Sequence, residues 1–461
     1  MRKKLILNIL LIFVSLPLFA FYTEDDLVNL MKTNSSSVKS SELSVEKAKK
    51  ERQKAIGDML PKIEYNATAA YIANPIGPIN ISADSIIEAI GLPTSSIGNL
   101  KPGTYVPVYG GMENSYYSFS LNLTQPIVTW GKLTKQYQIY DSLWQLENDK
   151  HSLKLKKDEA EIRARSASYA YLATLENILS EAKDDAALLE ELVSKTQNEG
   201  MSTRENTLSS ITAALRIENA YLNAASEKAS QVESLGLLTG LYNLSDSDLN
   251  VSMPSIDEYR EFIQANSELS LIASAISSDK EAIKMLNRNI QIQSDKKYVS
   301  YASLPYAPDL ALVANLSYGG SRFPFVESGW SSKDDWNAVI ALRLQGTLFN
   351  GTKKIADVEE AKVSLEQANL EKETAIQTII NNVKSMRRSL EVSLSSIEYK
   401  EAVQDEKAEN FRIASEKYQN RQISQIEYLT SSLEYKGAEA DVYTEYIKVA
   451  TLYNTLKFIA K

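Results

Sequence analysis

Four segments of the chain alternate apolar and polar residues with a period of two. They lie near residues 62–73, 116–125, 309–318 and 336–346. Such alternation predicts β-strands with one apolar face and one polar face. Each segment is about ten residues long, which is the length that a tilted strand needs to cross a bilayer. A soluble sheet with one face on a core explains any single segment equally well, but the four together favour membrane strands.

The apolar positions of these segments form a candidate lipid-facing surface. Aromatic residues stand near several segment ends, where membrane strands carry their interface girdles. The alternate positions are polar enough to line a water-filled lumen. The predicted lipid-facing residues are Ile63, Tyr65, Tyr71, Phe119, Leu121, Leu312, Leu316, Tyr318, Ile340 and Leu342.

A period of three to four residues predicts long helices elsewhere in the chain. The clearest tract, residues 353–417, contains no Pro and no Gly, and its apolar stripe includes Val383, Leu390 and Ile397. At about 1.5 Å per residue, such a helix is roughly 100 Å long. Coiled coils and helical barrels use helices of this length, whereas ordinary globular cores do not.

The same order of elements occurs twice. The segment "KTQNEGMSTRENTLSS" at 195–210 returns as "KYQNRQISQIEYLTSS" at 417–432, with seven of sixteen positions identical. The strands and helix starts recur in the same order, which indicates a duplicated unit. The prediction is two repeats, about 21–240 and 255–461. Each consists of a helix, a strand, a loop, a strand, a long helix, a short turn and a final helix.

The early part of the second repeat is 12 residues longer than that of the first. The comparison runs from Asn34 to the "LP" pair at Leu60, and from Asn266 to the "LP" pair at Leu304. The extra length fits three to four additional helical turns. An irregular excursion around residues 296–302 fits it as well.

The first twenty residues predict a secretory signal. Arg2, Lys3 and Lys4 precede an apolar run of about fifteen residues, and Ala20 is a small residue suited to cleavage. A membrane-spanning helix needs about twenty apolar residues, and no later segment reaches that standard. The signal at 1–20 is therefore expected to be removed on export.

Composition and charge narrow the function classes. The formal net charge of -9 becomes -12 once the three basic residues of the signal are gone, and an acidic surface disfavours a nucleic-acid partner. The absence of Cys excludes disulfides and thiolate metal sites. No catalytic constellation, metal-ligand spacing or cofactor motif is present, so no enzyme activity, metal or cofactor is expected. The only His, His151, is predicted to be a solvated helix residue.

Four strands cannot close a membrane barrel by themselves. Open edges in hydrocarbon leave backbone groups unsatisfied at several kcal/mol each, and closed membrane barrels need about eight strands or more. Several copies must therefore share one barrel, and three copies supply twelve strands. The apolar stripes of the long helices likewise need neighbours from other copies, so a helical barrel is expected beside the strand barrel.

The order of parts resembles the TolC family of outer-membrane channel-tunnels over essentially the whole mature chain. The resemblance is carried by the duplication, the "LP" pairs, "NSEL" at Asn266 and the pattern Y-x-x-x-x-I-S-x-x-E from Tyr418 to Glu427. It implies a mainly α chain with membrane β: four strands per protomer complete a trimeric 12-stranded β-barrel in the cell outer membrane. A long α-helical barrel continues it in the periplasm.

The resemblance also implies a function and partners. Family members are passive exit ducts of tripartite efflux pumps or type I secretion systems. The implied partners are two further copies of the chain, outer-membrane lipid, a periplasmic adaptor (membrane fusion protein) and an inner-membrane transporter. A periplasmic or surface coiled-coil protein without a pore is the rival hypothesis, and full solubility without detergent would favour it.

The repeated "KxQN" segments correspond, by that resemblance, to helix-to-helix turns where adaptors dock. Family members usually have Gly at such turns. Here Gly200 lies one position from the family's Gly position in the first turn, and Arg421 or Gln422 takes that place in the second. A turn without Gly has a less permissive backbone. The predicted docking residues are Glu199, Gly200, Met201 and Ser202 in the first turn, and Arg421, Gln422, Ile423 and Ser424 in the second.

A tunnel constriction is expected just past the second turn. Glu427 matches the first acidic position of the family's constriction, whereas Thr430 stands at the second and Ile423 replaces a family Arg. Three copies of Glu427 around one axis would repel each other, which raises their pKa and favours cations. A solvated helix residue is the alternative. Glu205 is the predicted first-repeat counterpart.

The loop of residues 74–115 is expected to face outward. It holds many of the Pro and Gly residues of the chain. A partial cap on the pore and a surface epitope are both compatible with its composition.

Overall fold

The computed structural model describes residues 21–91, 101, 103–332 and 335–460. The predicted signal lies outside these residues. None of the described helices is both long enough and apolar enough to cross a bilayer. The helices are α1 (Glu24–Asn34), α2 (Ser36–Gly57), α3 (Ala83–Ile90), α4 (Lys132–Asn198), α5 (Arg204–Thr239), α6 (Ile256–Ala265), α7 (Glu268–Ala275), α8 (Glu281–Ala302), α9 (Lys353–Gln419) and α10 (Gln425–Ala460).

The chain forms two compact units. The first comprises the described residues 21–49, Ser142–Gln291 and residues 366–460, and it is helical. The second comprises Lys50–Asp141 and Ile292–Leu365, and it contains the strands. Each unit draws on both sequence repeats, so the duplication does not divide the chain in space. The strands are β1 (Lys62–Tyr71), β2 (Ile79–Ser82), β3 (Tyr105–Tyr109), β4 (Ser115–Val128), β5 (Asp309–Gly320) and β6 (Trp336–Gln345).

Four of the strands form one antiparallel sheet in the order β1-β4-β5-β6. The β1–β4 and β5–β6 connections leave the sheet at one end, because each joins antiparallel neighbours. Helices α2 and α8 end, and helices α4 and α9 begin, near the other end of the sheet. There, Lys132 of α4 forms an ion pair with Asp309 at 2.6 Å, and Lys135 forms one with the buried Asp295 of α8 at 2.7 Å. These contacts fix the start of α4 against its neighbours.

The core of the helical unit confirms the apolar stripe predicted in the long helix of the second repeat. Val383, Leu390 and Ile397 of α9 are fully buried in one cluster with residues of α4, α6, α7 and α10. Aromatic rings fill the centre of this cluster, where Tyr453 packs against Tyr259 at a ring-centroid distance of 4.5 Å. Buried apolar area of this kind is the main stabilising contribution to such a packing.

The long helices of the two repeats have equal lengths. α4 and α9 each have 67 residues, and α5 and α10 each have 36. A five-residue turn joins the helices of each pair. Because the paired helices have equal lengths, the two turns occupy equivalent positions in the two repeats.

Three details differ from the sequence-based expectations. The extra length of the second repeat is not an irregular excursion at 296–302, because α8 runs through that region. The added residues are helical only in part, since they form the eight-residue helix α7 and its link to α8. The 74–115 loop carries structure of its own: β2, β3 and α3. His151 is half-buried rather than solvated, and its Nδ1 lies 2.7 Å from the Ser41 hydroxyl.

Candidate pore and docking site

Strand pairing places all the predicted lipid-facing residues on one face of the sheet. Directly opposed residues of antiparallel strands share a face. One such row runs across Tyr65, Leu121 and Leu316. The row beside it ends at Ile340 of β6. Tyr65 and Ile340 are 76% and 79% exposed, so large apolar side chains stand uncovered on this face.

Tyr318 departs from the rest of that set. It points to the same face, but it is only 1% exposed. Its hydroxyl donates to the backbone oxygen of Arg322 at 2.6 Å, and its ring packs on Trp336 at 5.4 Å. The chain that follows β5 covers Tyr318, so this residue does not present its ring outward.

The opposite face of the sheet is polar. One row across it consists of Asn66, Ser120, Ser317 and Asn337. In the neighbouring row, the Asn315 side chain donates a hydrogen bond to Asn122 at 2.6 Å. The sheet therefore has one face suited to hydrocarbon and one suited to water.

The two helix-to-helix turns have the same backbone geometry. In the first, the N–H groups of Gly200 and Met201 donate to the carbonyls of Gln197 and Thr196 at 2.9 and 2.8 Å. In the second, Arg421 and Gln422 donate to the carbonyls of Tyr418 and Lys417 at the same two distances. The equivalent residues are thus 221 positions apart.

That spacing corrects the sequence alignment of the turns, in which identical residues are 222 positions apart. Gly200 is equivalent to Arg421, and both have positive φ, +76° and +59° respectively. Gly reaches this left-handed conformation without strain, whereas Arg pays a steric cost. The second turn therefore has the left-handed backbone conformation that favours glycine, although Arg421 occupies that position.

Each turn ends in a helix cap. Thr203 accepts a hydrogen bond from the Asn206 backbone N–H at 3.2 Å. Ser424 accepts one from Glu427 at 3.2 Å, and the Glu427 carboxylate accepts one from the Ser424 N–H at 2.9 Å. This reciprocal arrangement is a capping box. The S-x-x-E pattern at 424–427 is the sequence signal that predicts it.

The capping box changes the interpretation of the candidate constriction. Glu427 is exposed, and its carboxylate is held at the start of α10. Glu205 is not its structural equivalent, because Asn206 occupies the corresponding position of α5. The structure therefore does not pair Glu205 with Glu427, and each stays a separate prediction as a pore residue.

The predicted docking residues form two exposed tips. Glu199, Gly200, Met201, Arg421 and Gln422 are exposed, and Met201 is 71% exposed. Ser202 and Ile423 are half-buried, and Ser424 is exposed. The two tips therefore differ, since the first exposes an apolar side chain and the second exposes the polar residues Arg421 and Gln422.

Apolar residues are also exposed on the two outer helices of the helical unit. In that unit α5 packs on α4, α4 packs on α10, and α10 packs on α9. Residues at seven-residue spacing lie uncovered on both outer helices, a pattern typical of coiled-coil seams. They are Leu208, Leu215 and Leu222 on α5, and Val392, Tyr399 and Ile413 on α9.

Charged groups join α4 to α10 above the second turn. Lys436 forms ion pairs with Asp185 at 2.9 Å and Glu181 at 3.4 Å, and Asp185 also accepts from Ser432 at 2.7 Å. Burial and the nearby Glu181 raise the pKa of Glu439, although Lys436 opposes the shift. The ionised form of the half-buried Glu439 carboxylate is therefore disfavoured in this contact.

The chain matches no protein-family model and no curated protein. Solved structures do match it. The CmeC outer membrane channel of Campylobacter jejuni has a TM-score of 0.70 and 14% identity, over 95% of this chain and 85% of that chain. The chain has the fold of outer-membrane channels. The outer membrane protein VceC of Vibrio cholerae has a TM-score of 0.68 and 13% identity, over 95% of this chain and 96% of that chain. For the open state of the MtrE channel of Neisseria gonorrhoeae, the TM-score is 0.64 at 13% identity, over 95% and 88%.

This likeness confirms the fold class predicted from the resemblance to the TolC family: long helices in two repeats with four strands. The sequence analysis did not predict the helix caps at Thr203 and Ser424, although Thr and Ser are preferred N-cap residues. It expected apolar stripes that need neighbours from other copies, but the α9 stripe that it named is buried within the chain, and it did not locate the exposed stripes of α5 and α9. Seven-residue spacing of apolar residues was the available signal, but only the structure shows which stripes stay uncovered.

Proposed function

We propose that this chain is the outer-membrane exit duct of a tripartite efflux pump or a type I secretion system. It acts as a passive conduit in the cell outer membrane, with its helical tunnel in the periplasm. The observation that carries the proposal is the division of the sheet into an apolar face and a polar face. A sheet of this kind is suited to separate hydrocarbon from a water-filled pore.

Closure of the barrel requires other copies of the chain. Within the described residues, β1 and β6 each pair on one side only, which leaves two edges. Two copies would give eight strands, and a barrel of that size is filled by its own side chains. Three copies give twelve strands and leave room for a lumen. A homotrimer surrounded by outer-membrane lipid follows.

The exposed helix stripes support the same assembly. α5 runs away from its turn and α9 runs towards its own, so the two helices are antiparallel where copies meet side by side. Counted from the turns, Leu222 then lies level with Tyr399, and Leu208 lies level with Ile413. Leu215 lies level with Glu406, the one polar position in the α9 series. Two complementary apolar seams at the edges of one protomer fit a ring of identical copies.

The exposed tips are the proposed contact with the periplasmic adaptor, through which an inner-membrane transporter drives export. Both tips present the same backbone but different chemistry: Met201 in the first and Arg421 in the second. Identical turns with unlike side chains would give an adaptor two distinguishable docking positions. Glu427 lies within the first turn of α10, and its negative charge is the proposed source of cation preference at the tunnel end.

Planar bilayers test the conduit directly. Purified protein extracted in detergent is expected to produce discrete conductance steps with a preference for cations. The control is a variant with Tyr65→Asp and Ile340→Asp, which places charge on the lipid-facing side and should abolish insertion. Protein that is fully soluble without detergent and shows no conductance would instead support the coiled-coil scaffold.

A further inference from the structure

A cavity of about 640 Å³ lies between α4, α8, α9 and α10 in the helical unit. Five basic and two acidic side chains line it, although the whole chain carries a net charge of -9. Its volume falls within the range of about 300–1,000 Å³ that is typical of small-molecule sites. A basic cavity in an acidic protein favours an anionic occupant.

Lys280 differs from the other basic residues because it is half-buried without an ion pair, whereas Lys157, which also has none among the described residues, is exposed. Lys156 forms an ion pair with Glu281 at 2.6 Å, and Arg163 is paired with Glu159 at 3.1 Å. Lys280 is half-buried and forms no ion pair with the described residues. Burial, together with the neighbouring Lys156, lowers the pKa of Lys280. An anion beside Lys280 would remove the cost of holding this charge away from water.

An apolar groove continues from this cavity. It has a volume of about 820 Å³ and shares Leu153, Ala282 and Ile379 with the basic cavity. Met285, Leu286 and Leu370 extend its apolar wall. One end of the combined space therefore offers a cation, and the other offers a surface for a hydrocarbon chain.

We infer that this space binds a single-chain anionic amphiphile, with its head group at Lys280 and its tail along Leu370. The charge at one end fits the head group, and the apolar wall of the groove fits an alkyl tail. The inference does not rest on the proposed function, because binding can be measured whether or not the protein conducts.

The test uses a reporter in the groove. The chain has no Cys, so Thr378→Cys gives one labelling position on the groove wall for an environment-sensitive dye. The labelled protein, in a nonionic detergent, is titrated with dodecanoate, with dodecyltrimethylammonium and with hexanoate. We expect dodecanoate to bind about tenfold more tightly than either other probe, because only it has both the charge and the tail.

Substitutions test which end of the combined space binds the head group and which binds the tail. Lys280→Gln is expected to weaken dodecanoate binding about tenfold, whereas Lys280→Arg keeps it. Lys296→Gln, an exposed change on α8 away from the cavity, leaves binding unchanged as the matched control. Leu370→Gln should weaken binding about threefold through the tail. Equal binding of the cationic probe, or unchanged binding by Lys280→Gln, would overturn the inference. Binding of two-chain phosphatidylglycerol without a response to dodecanoate would overturn it too.

Discussion

Arg421 holds a backbone conformation that glycine takes at the equivalent place in the first turn. The left-handed region costs a residue with a Cβ about 1 kcal/mol or more. Arg421→Gly is therefore expected to stabilise the second turn by up to about 1 kcal/mol, and Gly200→Ala should destabilise the first by about the same amount. Amide hydrogen exchange at 196–203 and 417–424 measures both. Shifts of the same sign in the two variants would contradict the proposed equivalence.

Glu439 supplies a pH-dependent prediction at the same scale. Its folded-state pKa is raised, so the ionised form destabilises the fold, and that penalty is lost as pH falls through the folded pKa. Glu439→Gln should raise the thermal midpoint by roughly 1–3 °C at pH 7.5, and the gain should shrink as the medium becomes acidic. Glu181 and Asp185 lie across this contact, where both form ion pairs with Lys436. Asp441→Asn, an exposed change on α10, is the control and should show no such dependence.

Helix α10 begins at a capping box whose loss has a defined cost. Ser424→Ala removes the side-chain acceptor for the Glu427 N–H and should destabilise the start of the helix by about 1 kcal/mol. Faster amide exchange confined to the first turn of α10 is the expected signature. Thr203→Ala should do the same to α5, and exchange that is unchanged in both variants would rule out the caps.

Substitutions of Glu427 can separate its role in the capping box of α10 from its proposed role as a charge in the tunnel. Gln is as suitable as Glu in a capping box, so Glu427→Gln should leave the start of α10 intact while it removes the charge. If the carboxylates of three copies face the tunnel, cation preference in bilayer recordings falls, by about threefold or more. Glu427→Ala should reduce both the preference and the cap. Unchanged ion preference in Glu427→Gln would mean that the residue serves only the helix.

The elements that the sequence predicted best are those set by a long, regular pattern. Strand β1, which contains Tyr65, has one apolar face and one polar face. Helix α9 has an apolar stripe that includes Val383 and Ile397. These periodicities persist over many residues. The equivalence of the two turns was harder to predict. Identical side chains in the two turns are 222 positions apart, whereas equivalent backbone hydrogen bonds are 221 positions apart. The excursion at 74–115 and the Lys280 cavity depend on tertiary contacts that no local pattern encodes.

For the whole molecule, the stripes of α5 and α9 predict how copies meet. Leu215→Lys and Leu222→Lys together should weaken the contact between copies, because two charges would then enter an apolar seam. The variant is expected to run as a single chain in size-exclusion chromatography, with an unchanged far-ultraviolet circular dichroism spectrum. Arg216→Lys and Glu218→Gln on the same helix form a control that keeps the stripe. A double variant that still assembles would place the contact elsewhere.

We propose that one chain brings too few strands to close a pore, so that three copies complete it. Native mass spectrometry of the detergent-extracted protein measures the number of copies most directly. For a trimer, we expect particles of three times the mass of the mature chain, which dissociate only when the detergent or the fold is disrupted. A particle of one chain that stays folded and monodisperse in plain buffer would contradict it.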